Sequence, residues 1–104
     1  MAGPGQLDEI SAIESLKARY CRCLDTKDWS GFRDVLTDDF VSDTSPAGGT
    51  VVSGADDFVS YVRKMLGKRV TVHHVQQPEI DVTTKTAAQG IWAMQDVVRF
   101  APGV

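Results

Sequence analysis

Apolar side chains at Ile10, Ile13, Leu16, Tyr20 and Leu24 recur at steps of three and four residues, the repeat of a helix with one face against a core. Such a helix needs a surface to lie on, and the second half of the chain supplies one by changing period. From Val70 the side chains alternate, with Thr71, His73 and Val75 on one side and Val70, Val72, His74 and Gln76 on the other. Ala87 to Phe100 reads as one long strand: Ala88, Gly90, Trp92, Met94, Asp96, Val98 and Phe100 share a side that is apolar except for Asp96, opposite Gln89, Gln95 and Arg99.

The intervening residues divide into short elements. Met1 to Gln6 is frayed, and Asp8, Glu9 and Ser11 open the first helix. Asp28 to Leu36 forms a second, weakened by Gly31 and closed by Thr37, Asp38 and Asp39. Phe40 to Thr44 and Thr50 to Ser53 pair as a hairpin around Pro46–Gly49. Ser53 is the expected cap of a third helix, with Asp56 at the capping-box position, Phe58, Val59, Val62, Met65 and Leu66 as its apolar face and Gly67 as its stop. Pro78 leads into a separate strand, Glu79 to Val82, and Thr83 to Thr86 turns the chain. The expected class is α+β, with three helices on one face of a curved, mainly antiparallel sheet.

A length of 104 residues allows one domain, and 42% apolar with 24% charged residues is ordinary for a soluble globular chain. The net charge of -3 and scattered Lys and Arg disfavour nucleic-acid binding. No apolar run approaches the roughly 20 residues of a membrane span, and no signal core opens the chain, so a cytoplasmic location is the default expectation. Cys21 and Cys23, two apart on a helix, point to nearly opposite sides and cannot bridge there. Core packing suits at least one of them better than a zinc site, because the only histidines, His73 and His74, are far along the chain. Phosphate-cradling, dinucleotide, zincin and serine-elbow motifs are absent, so no cofactor or metal is expected.

Tyr20, Asp25, His73 and Asp96 are the candidates for chemistry. An imidazole beside carboxylates and a phenol is an acid–base set: the carboxylate fixes the imidazole tautomer, and the phenol can donate to a developing oxyanion. Each also has an ordinary reading. Tyr20 packs in a core, His73 is a satisfied strand histidine, and Asp96 pairs with Arg99 or Arg63. Asp25 sits where a helix should end, the wrong place for an anion, unless it or Asp28 caps the next helix. His74 reads as structural or solvated, and the pairs Asp38–Asp39 and Asp56–Asp57 as caps and solvated acids.

Three strings carry a family likeness: K-A-R-Y-C-R-C-L-D-T-K-D-W from Lys17, T-V-H-H-V-Q-Q-P-E-I from Thr71, and A-A-Q-G-I-W-A-M-Q-D from Ala87. Together they resemble the SnoaL-like branch of the nuclear-transport-factor-2-like superfamily, which includes bile-acid 7-alpha-dehydratase and scytalone dehydratase. Tyr20, Asp25, His73 and Asp96 match the functional set of the bile-acid enzymes in order and spacing. The resemblance implies a cone-like sheet and a cofactor-independent dehydratase or isomerase for hydrophobic, steroid- or polyketide-like carbonyl compounds. Trp29, Trp92 and Met94 would contact such a substrate. The competing reading is a non-catalytic ligand-binding or oligomerisation module of the same fold.

The family continues into further strands, and Ala101-Pro102-Gly103-Val104 is turn chemistry directly after the longest strand. The expectation is therefore one domain over residues 1–104 lacking its C-terminal strands, about 30 to 50 residues by typical strand and turn lengths. An unpaired strand edge of this kind favours a homo-oligomer.

Overall fold

A computed structural model describes residues 4–99. Helix α1 spans Pro4–Asp25, α2 Trp29–Asp34 and α3 Ala55–Leu66; β1 is Val41–Asp43, β2 Val51–Ser53, β3 Val70–Val82 and β4 Ala88–Arg99. The class is α+β, with β1 antiparallel to β2 and β3 antiparallel to β4 in separate ribbons. Phe100 and Ala101 to Val104, which carry the expectations about the chain end, lie outside the described residues, as do Met1 to Gly3.

The core is built on Phe32, fully buried at 0% exposure, with Cys23, Leu24, Phe58 and Val62. Phe32 meets the rings of Tyr20 at 4.9 Å, Phe58 at 5.8 Å and Trp29 at 6.0 Å, the tilted and edge-on contacts that aromatic quadrupoles favour. Helices α1, α2 and α3 therefore converge on one side chain. Arg33 fastens the outside of this junction to Asp38 and Asp56, so one member of each acidic pair is an ion-pair partner rather than only a solvated acid.

Local details depart from expectation for identifiable reasons. Helix α1 starts at Pro4, a residue suited to a first helical position because its missing N–H is not needed there. Gly54, not Ser53, stands at the start of α3 with φ 93° and no side-chain cap. Its N–H donates to Phe40 O and that of Ala55 to Asp38 O, so the preceding chain supplies the acceptors. Gly67 ends α3 in right-handed geometry, φ -59°, rather than as a left-handed stop. The segments on either side of Pro78 form one strand, interrupted by an irregularity between Gln76 and Glu79, with Gln77 at φ 51°. The interruption changes the parity: Thr71, His73 and Val75 face inward before it, Pro78, Ile80 and Val82 after it.

Candidate active site

The end of α1 determines the site. Lys27 N–H donates to Leu24 O and Asp28 N–H to Cys23 O, the paired bonds of a Schellman stop. The left-handed residue in it is Lys27, φ 60°, where glycine is usual. Asp28 then caps α2, accepting from Gly31 N–H at 3.0 Å. Capping falls to Asp28, which leaves Asp25 free to turn toward β3.

The Asp25 carboxylate accepts three hydrogen bonds from β3. His73 N–H donates to Oδ2 at 2.8 Å, the His73 ring meets Oδ1 through Nδ1 at 2.6 Å, and the Thr71 hydroxyl donates to Oδ1 at 3.0 Å. Burial alone would raise the Asp25 carboxyl, but the bonds from the His73 ring and backbone and from Thr71, with the charge of His73, hold it below the usual carboxylate range. An ionised carboxylate only accepts, so Nδ1 carries the proton and Nε2 is left as the basic nitrogen. The His73 side chain is 10% exposed and that of Asp25 22%.

Lys27 completes the arrangement. Its ammonium donates to Thr71 Oγ1 at 2.6 Å, and the hydroxyl of Thr71, only 3% exposed, donates in turn to Asp25. Burial lowers the Lys27 ammonium from its usual value, with the Asp25 charge opposing. Neither Lys27 nor Thr71 was among the sequence candidates. The parity that placed Thr71 beside His73 was the one available clue.

Asp96 is directly opposite His73 across the ribbon. Because His73 N–H is spent on Asp25, on the side away from β4, this is a non-hydrogen-bonded pair, the kind that brings facing side chains closest. Asp96 is exposed and forms no ion pair with Arg99 or Arg63. The even-numbered face of β4 is only partly covered among the described residues: Trp92 and Val98 are half-buried, while Met94 is 62% exposed opposite Val75.

Tyr20 belongs to a neighbouring groove. Five residues carry the helix about 140° round its axis at 3.6 residues per turn, so Tyr20 faces Phe32 while Asp25 faces β3. The groove, about 310 Å³, runs between α1, the α2–β1 connection and Trp92. Burial, with a smaller effect from the charge of Cys21, pushes the Tyr20 phenol up to about 12, so it remains a neutral donor at physiological pH. Trp29 packs edge-on against Phe32 and does not line the groove. Asp25, His73 and Asp96 lie outside its lining: the structure joins Asp25 to His73 at the end of α1, places Asp96 across the ribbon from His73, and sets Tyr20 and Trp92 in the separate groove.

His74 is exposed on the opposite side of β3. Cys21 and Cys23 are both free and buried. Among the described residues no His, Cys, Asp or Glu cluster could hold a metal ion, and no helix is long and apolar enough to cross a membrane.

The sequence profile of the SnoaL-like domain matches residues 5–103. Among solved structures, a protein from Catenulispora acidiphila superposes with a TM-score of 0.76 at 18% identity, covering 90% of this chain and 68% of that one. Aln2 from a Streptomyces species superposes with a TM-score of 0.75 at 19% identity, covering 100% of this chain and 73% of its own. At such identities the likeness is one of fold.

Proposed function

The chain belongs to the SnoaL-like family of the nuclear-transport-factor-2-like superfamily, a fold suited to small-molecule binding, and from that premise we propose a cofactor-independent dehydratase or isomerase acting on a hydrophobic carbonyl compound. The observation that carries the reading is the Asp25–His73 pair, in which an ionised carboxylate fixes the imidazole through Nδ1 and leaves Nε2 to act as base.

In the dehydratase reaction, His73 Nε2 takes the proton from the carbon next to the carbonyl. The electrons of that C–H bond become an enolate, whose oxygen accepts a hydrogen bond from the Tyr20 phenol. The enolate then reforms the carbonyl as the β-carbon–oxygen bond breaks, and the proton on His73 leaves with the departing hydroxide as water. Asp25 stabilises the transient imidazolium, Asp96 adds negative charge across the ribbon, and Lys27 with Thr71 holds Asp25 in place. In the isomerase alternative the same proton returns to a different carbon. Trp92 and, on the open side of the ribbon, Met94 are the proposed apolar contacts, with Trp29, packed against Phe32, as a further one.

A second reading, a binding or oligomerisation module, draws support from the other duty of Asp25. Its acceptance of the His73 backbone N–H satisfies a strand edge whether or not chemistry follows.

Turnover on a panel of hydroxylated 3-keto steroids, followed by mass spectrometry, separates these. Loss of water supports the dehydratase and a rearranged product of unchanged mass the isomerase. His73→Ala should lower either rate roughly 100-fold or more, the scale of a general acid–base group, with His74→Ala near wild type. Ligands that raise the melting temperature without being consumed would favour the binding module.

A further inference from the structure

The groove beside Tyr20 contains a charge that the acid–base scheme leaves unused. Its walls are mostly aliphatic and aromatic, and among its lining residues Lys17 is the one that carries a charge. Lys17 Nζ lies 4.5 Å from the centre of the Tyr20 ring and 5.5 Å from that of Trp92, within range of the attraction between a cation and an aromatic face. The two rings hold the ammonium over the groove but do not neutralise it. Among the described residues no acid lines the groove, and no ion pair involves Lys17. A cation fixed in an apolar wall without a counter-charge favours an anion whose remainder is apolar.

We propose that Lys17 is an anion-recognition residue and that the groove takes an apolar small molecule bearing a carboxylate, with the carboxylate on the ammonium and the rings of the ligand along the apolar wall. Lys17 precedes Asp25 by eight residues on the same helix, about 12 Å along the axis at 1.5 Å per residue. His73, bonded to Asp25, lies outside the groove lining, so the proposed anion site is separate from the acid–base pair. Binding of the anion at Lys17 does not depend on turnover at His73.

Calorimetric titration of the full chain with anthracene-2-carboxylate and its neutral analogue anthracene-2-carboxamide tests this. The carboxylate should bind roughly tenfold tighter, the scale of a hydrogen bond to a charged group, and the preference should shrink as salt is added. Lys17→Met, which keeps the apolar stem, should abolish the preference while leaving carboxamide affinity unchanged, and Lys17→Arg should retain it. His73→Ala should bind both probes as wild type does. Equal wild-type affinities, no measurable binding of either probe, or a preference that survives Lys17→Met would overturn the inference. The preference without turnover on any carbonyl substrate would remove the acid–base reading and leave the anion site standing.

Discussion

Asp25 holds His73 by both its ring and its backbone: Oδ1 meets Nδ1 at 2.6 Å while Oδ2 accepts the amide N–H at 2.8 Å. A single carboxylate thus sets the rotation of the imidazole relative to the strand that bears it. Asp25→Asn presents an amide that cannot accept on both sides, so the favoured imidazole tautomer is lost. We expect the rate constant for catalysis to fall at least 100-fold, with substrate KM changed far less, because the defect lies in proton transfer rather than in binding. Steady-state kinetics against wild type measures the split.

The same carboxylate predicts an acid limb in stability. Its pKa is lowered on folding, so the unfolded chain binds its proton first. The stabilisation is complete above the ordinary aspartate value of about 4 and disappears as pH falls through the lower folded value. Thermal melts from pH 6 to 3 should show a decline that is shallower in Asp25→Asn.

An alkaline limb should come from Tyr20. Its folded pKa is raised to about 12 from 10.0, so the contribution is whole below pH 10 and is lost as pH rises through about 12. Tyr20→Phe should flatten that limb in urea melts between pH 9 and 11.5.

Lys27→Gly sets two effects against each other. Removing a side chain from a left-handed residue relieves about 1–2 kcal/mol, but the ammonium bond to Thr71 is worth about 1.5–3 kcal/mol and glycine adds about 0.5–1 kcal/mol of unfolded-state freedom. The net expectation is a loss of about 1.5 kcal/mol, read as a lower urea midpoint at unchanged slope. Thr71→Val, which leaves Asp25 and Lys27 each short of a partner, should cost about 1–3 kcal/mol.

Gly31→Ala should destabilise although alanine is the better helix former. The new Cβ would lie 2.7 Å from Asp28 Oδ2 and 2.9 Å from Cys23 Sγ. Overpacking of about 1–3 kcal/mol, with the Asp28 cap displaced, exceeds the roughly 1 kcal/mol gained in helix propensity. Denaturant titration gives the sign directly.

Periodicity made the elements legible in the sequence because the burial pattern follows the repeat. Thr71, His73 and Val75 do face inward, and His74 does face out. The roles of Lys27 and Thr71 were not legible. A lysine in left-handed backbone breaks the statistical preference that would mark it, and its partner is 44 residues away. Gly31 read as a helix weakener because its neighbours Asp28 and Cys23 approach only after α1 and α2 have closed on each other. For Asp96, parity gave the correct side of β4 but not its exposure, since alternation says which face a residue takes and not whether anything covers it.

The bond from the His73 amide to Asp25 has a consequence for how the protein opens. That N–H is protected by a side chain 48 residues earlier, on another element, and not by the neighbouring strand. Its exchange with deuterium therefore reports separation of α1 from β3, whereas amides bonded within the ribbon report the parting of β3 from β4. If the two exchange rates differ, α1 and the ribbon come apart in separate steps, and the proposed base loses its partner before, or after, the strand beneath it melts.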